Sequence, residues 1–226
     1  MARLHQTLLR QGQDPRQPGE VQLHPFTHRI NFYKMKRRLF IVDPQNGFMD
    51  DGTLPVQGSL AKMAALAQYL HDTDLSYYDK IYVSLDWHPI NHCSFAEQGG
   101  PWPPHCVGYT ADALVTDSVL DELKRWMHAG KVEFIRKGEQ VEVDEYSALD
   151  NEAVAAHMAY ELRQADHLDV CGVVGTVCVQ NTLKGLIEKA TYADKVTALT
   201  AYIAQFDADA EKEFVKWCEE NKIKVE

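Results

Sequence analysis

Short apolar segments alternate with longer amphipathic segments along most of this chain, and that alternation restricts its fold more than any other feature. The apolar segments have the length of buried strands and read RLFIVD (38–43), KIYVSLD (80–86), VEFIRKG (132–138), HLDVCGVVG (167–175) and KVTALTAYI (195–203). A segment with helical spacing follows each strand, beginning at about Ser59 and then covering 116–127, 151–165, 176–190 and 207–221. Such alternation predicts an α/β fold, a mostly parallel central sheet with helices on both faces in a Rossmann-like three-layer arrangement.

The first thirty-odd residues differ in composition from the rest of the chain. They are basic, rich in Gln, Pro and Arg, and almost free of acidic residues. They lack the apolar core of a secretory signal, and their Gln and Pro content disfavours the amphipathic helix of a mitochondrial presequence. We therefore expect residues 1–36 to be an N-terminal extension or tail, and residues 37–226 to form a single domain.

Charge and cysteine content exclude several classes of function. The net charge of -10 argues against a nucleic acid or an anionic membrane as the main partner. No apolar run approaches the length of a membrane span. The five cysteines are scattered and odd in number, which favours a reducing compartment over a disulfide framework. A cytoplasmic location is expected.

Four reactive side chains are predicted at one edge of the sheet. Asp43 ends the first strand, Asp86 the second and Lys137 the third, while the fourth strand leads into the turn before Cys178. Ligands bind beyond the carboxyl ends of parallel strands in such sheets. The sequence therefore places a candidate site where these four residues converge.

Cys178 lies in a strand–turn–helix context, within GVVGTVCVQNT (172–182). In the first turn of a helix, unpaired N–H groups and the positive end of the dipole are expected to lower the pKa of a thiol. The same N–H groups can hold an oxyanion. Asp43 and Lys137 are the candidate base and charge partner. Each residue alone has an ordinary alternative: a buried cysteine, a turn cap or a solvated lysine.

The loop after the second strand contains a candidate metal site. Asp86 and His88 are two residues apart and point the same way in an extended segment, and His105 follows Trp-Pro-Pro. One carboxylate and two imidazoles suit Zn²⁺, Fe²⁺ or Mn²⁺ and leave coordination positions open. His92 is a further ligand, a residue behind the ligands, or a surface histidine.

Six segments together resemble the nicotinamidase branch of the isochorismatase-like cysteine hydrolases. The matching stretches, in the order of that family, are IVDPQNGF (41–48), SLDWHPINHCSFA (84–96), WPPHCV (102–107), FIRKG (134–138), DEYSALDN (144–151) and GVVGTVCVQNT (172–182). The resemblance implies metal-dependent deamidation of nicotinamide to nicotinate and ammonia through a cysteine thioester, as a step in NAD salvage. Pyrazinamide is implied as a second substrate, one divalent ion as the cofactor with Zn²⁺ as the first expectation, and a homo-oligomer as the assembly.

The resemblance also implies roles for individual residues. Asp43 corresponds to the general base, Lys137 to the catalytic lysine and Cys178 to the nucleophile. The family's metal ligands fall on Asp86, His88 and His105, and His92 falls where members have a fourth ligand or a near neighbour. Further implied features are aromatic walls from Phe48 and Trp102, oxyanion contacts from the N–H groups of Val174 and Cys178, and a cis peptide between Val173 and Val174.

Two alternatives to this function remain at the level of the sequence. The first is a sister hydrolase on the same fold that acts on an N-carbamoyl compound or another small amide, and metal content would distinguish it. The second is a non-catalytic protein that binds a metal or nicotinamide. The combination of Asp43, Lys137 and Cys178 argues against the second alternative.

Overall fold

A computed structural model describes residues 34–226, so the predicted N-terminal extension lies outside the described residues except for 34–36. The described strands are β1 (Arg37–Val42), β2 (Lys80–Asp86), β3 (Val132–Lys137), β4 (His167–Val173), β5 (Val196–Ala204) and β6 (Lys224–Val225). The described α-helices are α1 (Ser59–Asp72), α2 (Asp117–His128), α3 (Glu152–Leu162), α4 (Gln180–Lys189) and α5 (Ala208–Glu220).

The six strands form one sheet in the order β3-β2-β1-β4-β5-β6, and every pair of neighbours is parallel. This confirms the predicted α/β class, and Lys224–Val225 adds a short sixth strand beyond the five apolar segments of the sequence. The central strand β1 pairs with both β2 and β4, so that Phe40 lies between Tyr82 and Val170. Its side chains are buried on both faces, which is why it reads as a continuous apolar run.

The helices form two packed pairs, α1 with α2 and α3 with α4, and they cover the sheet on both faces. The buried apolar residues of α1 are Met63, Leu66, Ala67 and Leu70, whereas Leu60, one turn before Met63, is 45% exposed. Among residues 34–226, none of the helices combines the length and the apolar composition needed to cross a bilayer.

The strand order reverses between β1 and β4. Strands β2 and β3 lie on one side of β1, whereas β4, β5 and β6 lie on the other. A crevice opens at such a switch point, beyond the carboxyl ends of the strands. The ends of β1, β2, β3 and β4 therefore face one region of the molecule. The predicted reactive residues all stand at or just after these four strand ends.

Candidate functional site

The four predicted strand-end residues come together in one buried cluster. Lys137 Nζ lies 2.8 Å from Asp86 Oδ1, 3.2 Å from Asp43 Oδ2 and 3.9 Å from Cys178 Sγ. The exposed fraction of each residue is 6% or less. A buried cation with two carboxylates and a thiol around it has no ordinary role in a core, because charges are expensive to bury. Such a cluster is typical of a catalytic site.

The backbone and its neighbours orient Asp43 toward the lysine and the thiol. Asp43 follows β1 directly, and its φ of 46° turns the chain out of the strand. The hydroxyl of Ser84, on the neighbouring strand β2, donates a hydrogen bond of 2.7 Å to Asp43 Oδ1. That bond fixes the carboxylate and leaves Oδ2 on the side of Lys137.

Burial dominates the electrostatics of this cluster. Burial raises the pKa of Asp43, and the Asp86 carboxylate acts in the same direction, while Lys137 and Ser84 oppose the shift. Although burial opposes its charge, the two carboxylates raise the pKa of Lys137 well above its usual range. Asp86 stays ionised, because Lys137 and the two neighbouring histidines outweigh burial and hold its pKa well below its usual value.

The thiol of Cys178 differs from its sequence prediction. Burial raises its pKa well above the usual value; Lys137 lowers it, and the Asp43 carboxylate raises it further. The lowered pKa expected from a helix N-terminus was therefore wrong for this structure. Because burial disfavours its thiolate, Cys178 would need a base to act as a nucleophile. Asp43, whose own pKa is raised by burial and whose carboxylate acts on the pKa of this thiol, is suited to be that base.

The turn that carries Cys178 has two unusual features. The Val173–Val174 peptide is cis, as predicted. Residues Gly175–Val179 form a π-helical turn before α4, where the sequence predicted an uninterrupted helix. From the loop after β5, Gln205 Oε1 accepts a hydrogen bond from the N–H of Thr176 at 3.1 Å. This hydrogen bond ties the turn to a residue remote in sequence. The periodicity of the segment does not predict it.

The predicted metal ligands also lie together. One donor atom from each of Asp86, His88 and His105 falls within 4.8 Å of the others, and all three residues are buried. Asp86 Oδ2 is 3.0 Å from His88 Nε2 and 3.3 Å from His105 Nε2. Donor atoms bound to one ion at about 2.1 Å are separated by roughly 3.0–3.4 Å, so these spacings fit a shared metal.

Hydrogen bonds on the far side of each imidazole support the same interpretation. His88 Nδ1 faces the carbonyl oxygen of Gly138 at 3.1 Å, and His105 Nδ1 faces that of Pro103 at 2.8 Å. A carbonyl only accepts, so each Nδ1 carries the proton. In the neutral rings both Nε2 lone pairs then point at the Asp86 carboxylate. A cation between them would remove that repulsion, and a carbonyl behind the ring is a common support for a metal-bound histidine.

His92 does not belong to this ligand group. Its Nδ1 accepts from the N–H of Ser94 at 3.2 Å, so the proton is on Nε2, which donates to the carbonyl of Val143 at 3.0 Å. Its ring packs against His88 with centroids 4.1 Å apart. His92 therefore lies against the ring of His88, outside the group of three donors that could hold a metal.

A cavity opens beside Cys178 and the metal ligands. The residues predicted to bind substrate, Phe48, Trp102 and Val174, line it. Residues that the sequence analysis did not assign also line it: Leu54, Ser94, Asp144, Glu145, Tyr146, Val177 and Phe206. Trp102 Nε1 donates to Tyr146 Oη at 3.2 Å, which fixes one aromatic wall. The stretch DEYSALDN was a signal for Tyr146, whereas nothing in the sequence marks Phe206.

Comparisons with known proteins agree with this geometry, although no family model matches the chain. The nicotinamidase of Acinetobacter baylyi is 31% identical over 161 residues, covering 62% of this chain and 70% of that protein. The pyrazinamidase of Pyrococcus horikoshii, solved in complex with zinc, has a TM-score of 0.70 at 25% identity and covers 84% of this chain and 98% of its own. PnC1 from L. infantum, solved in complex with nicotinate, has a TM-score of 0.71 at 28% identity, covering 85% and 92%.

Proposed function

Because this chain belongs to the nicotinamidase family of hydrolases, we propose that it deamidates nicotinamide to nicotinate and ammonia with Cys178 as the nucleophile. The observation that carries the proposal is the buried contact of Lys137 with Asp43, Asp86 and Cys178, beside a group able to hold a metal. The relative solved in complex with nicotinate supports a pyridine carboxylate in this cavity.

Asp86, His88 and His105 would hold one divalent ion, with Zn²⁺ as the first expectation and Fe²⁺ or Mn²⁺ as alternatives. The zinc in the P. horikoshii pyrazinamidase structure supports that order. When bound, the ion would supply an anchor for the ring nitrogen of the substrate, either directly or through a water molecule. Phe48 and Trp102 would hold the ring between them and so orient the carboxamide over Cys178.

Asp43 would then accept the thiol proton as the sulfur attacks the carboxamide carbon. The N–H groups of Val174 and Cys178 would stabilise the oxyanion. Asp43 would pass the proton to the departing nitrogen, so that the C–N bond breaks, ammonia leaves and a thioester remains. Water deprotonated by Asp43 would attack the thioester carbon; the C–S bond breaks, the thiol regains a proton and nicotinate is released.

Lys137 would keep the buried cluster electrically balanced during these steps. Its charge favours the ionised forms of both Asp43 and the Cys178 thiolate, which burial otherwise disfavours. We propose that His92 supports His88 and is not a fourth ligand.

The wider setting is part of the same proposal. Formation of nicotinate would place the enzyme in NAD salvage. The pyrazinamidase relative supports pyrazinamide as a second substrate. We keep one hydrolase domain over 37–226, a homo-oligomer and a cytoplasmic location as expectations; all five cysteines lie in the described residues and are unpaired, which suits a reducing compartment.

The test is ammonia release from nicotinamide by the purified protein, before and after removal of metal with a chelator. We expect release to fall at least tenfold on chelation and to return with Zn²⁺, Fe²⁺ or Mn²⁺. No release with any of these metals would contradict the substrate assignment. A panel of small amides, including N-carbamoyl compounds, would then identify the sister activity.

A further inference from the structure

Glu145 is a buried acidic residue with no part in the proposed reaction. It is 7% exposed, lines the cavity, and accepts a hydrogen bond of 2.8 Å at Oε2 from the N–H of Gly138. A buried carboxylate costs free energy unless its contacts compensate for lost hydration. Glu145 makes two kinds of contact. Its side chain contacts the backbone that supports the proposed metal ligand His88, and its carbonyl oxygen contacts Lys137.

The first contact is made with Gly138. The Gly138 carbonyl accepts from His88 Nδ1 at 3.1 Å, and the residue has a φ of +69°. A Cβ at this position would lie 2.4 Å from His88 Cε1, so the backbone packs directly on the imidazole. The orientation of Gly138 therefore decides where His88 Nε2 points. Glu145 restrains that orientation by holding the N–H of the same residue.

The second contact is made by the backbone of Glu145. Its carbonyl oxygen accepts a hydrogen bond from Lys137 Nζ at 3.3 Å. Lys137 also precedes Gly138 in the chain. Glu145 thus contacts Lys137 with its backbone, and its side chain holds Gly138, the residue whose carbonyl contacts His88. Both contacts depend on the loop between 138 and 145 folding back on itself.

We propose that Glu145 is a positioning residue that aligns His88 for metal binding through its hydrogen bond to Gly138. Its side chain must be long enough to accept a hydrogen bond from the Gly138 N–H, and its negative charge is dispensable for metal binding. This inference rests on the proposed metal site at Asp86, His88 and His105.

The length and the charge of the side chain can be varied separately. Glu145→Gln keeps an acceptor oxygen at the same reach and removes the charge. Glu145→Asp keeps the charge and is one methylene too short to reach Gly138 N–H. Glu145→Ala removes both. Glu142→Ala, an exposed glutamate of the same loop, is the matched control.

The measurement is the dissociation constant of Zn²⁺ for the metal-free proteins, by competition with a chromogenic chelator, with circular dichroism confirming the fold. Loss of a residue that supports a metal ligand typically weakens metal binding about 10–100-fold. We expect that loss for Glu145→Asp and Glu145→Ala, and values within about threefold of the wild type for Glu145→Gln and the control.

Tight binding by Glu145→Asp together with weak binding by Glu145→Gln would overturn the proposal, since charge would then be the cause. Equal binding by all variants would overturn it as well, while leaving the proposed metal site intact. A wild-type protein that does not bind Zn²⁺ would overturn both. If Glu145→Ala fails to fold, the comparison of Glu145→Gln with Glu145→Asp still decides between the two explanations.

Discussion

Lys137 is among the largest fully buried side chains, and its charge determines how the other residues of the cluster behave. It faces Asp86 and Asp43 at 2.8 and 3.2 Å, and, after burial, it has the largest effect on the pKa of both carboxyl groups, which it lowers. Removing one partner of a buried ion pair leaves the other charge without compensation, which costs more than the pair contributes when intact.

Replacing Lys137 with Met should therefore destabilise the metal-free protein strongly. Two buried carboxylates would face each other without a cation, and we expect a loss of about 3–5 kcal/mol in the free energy of unfolding. Urea denaturation at pH 7 measures this quantity. Lys184→Met is the control, because Lys184 is exposed and its change should stay within about 0.5 kcal/mol. Equal effects of the two substitutions would show that Lys137 does not balance the cluster.

Cys178 carries the second prediction at this scale. Cys178→Ala should lower nicotinamide turnover at least ~10³-fold, because the covalent step is lost, and should leave metal binding unchanged. Ammonia release and metal content of the same sample measure the two quantities. Cys218→Ala removes another buried thiol, on the inner face of α5, and should keep turnover. Substantial turnover by Cys178→Ala would rule out the thioester mechanism.

At the scale of elements, the helices differ in which groups accept hydrogen bonds from the free N–H groups of their first turns. Helix α1 begins after Gly58, which provides no side-chain cap. Asp50, from the preceding loop, accepts instead from the N–H groups of Gly58 at 2.6 Å and Leu60 at 2.8 Å. The same loop contains Phe48, one wall of the cavity. The carboxylate that caps α1 therefore lies in the same loop as one wall of the cavity.

Asp50→Ala should lower the melting temperature at pH 7, and the difference from wild type should shrink in acid. Hydrogen bonds from Leu60 and Gly58 lower the folded-state pKa of Asp50 below its ordinary value of 3.8. A lowered folded pKa contributes stability that is present above the unfolded value and is lost as pH falls through the folded value. Thermal denaturation from pH 7 to pH 3 tests this. A difference that is constant down to pH 3 would exclude the ionised cap.

At the scale of the whole molecule, the site exists only because distant segments meet. The ends of β2 and β3, the turn after β4 and the loops after β1, β2, β3 and β5 each contribute side chains to one cavity. A metal bound by Asp86, His88 and His105 would hold the end of β2 together with the loop that follows it, an arrangement that unfolding disrupts. Binding to the folded state alone stabilises a protein according to ligand concentration and affinity.

Zn²⁺ should therefore raise the melting temperature of the metal-free protein. At a concentration 100 times its Kd, the expected stabilisation is about 2.7 kcal/mol, or roughly 5–10 °C for a chain of this size. Differential scanning calorimetry with and without Zn²⁺ measures it. His88→Ala should lose most of the increase, because one ligand is gone. A similar increase in both proteins would mean that Zn²⁺ binds elsewhere.

Much of this molecule follows from sequence alone. The order of the strands and helices could be predicted because the buried face of each element requires apolar residues at a regular spacing in the sequence. The identity of Asp43, Asp86, Lys137 and Cys178 followed from their places at strand ends, since parallel strands bring those ends to one edge. The group of Asp86, His88 and His105, which could hold a metal, followed from residue type and local spacing.

The tertiary structure alone decided what depends on distances between segments remote in sequence. The direction of the pKa shift of Cys178 is one case, because burial and a neighbouring carboxylate outweigh the local effect of a helix terminus. The places of Glu145, Phe206 and Gln205 are others. Local periodicity records which side of an element is buried, but not which residues of another element lie against it, and electrostatics and site geometry are set by those neighbours.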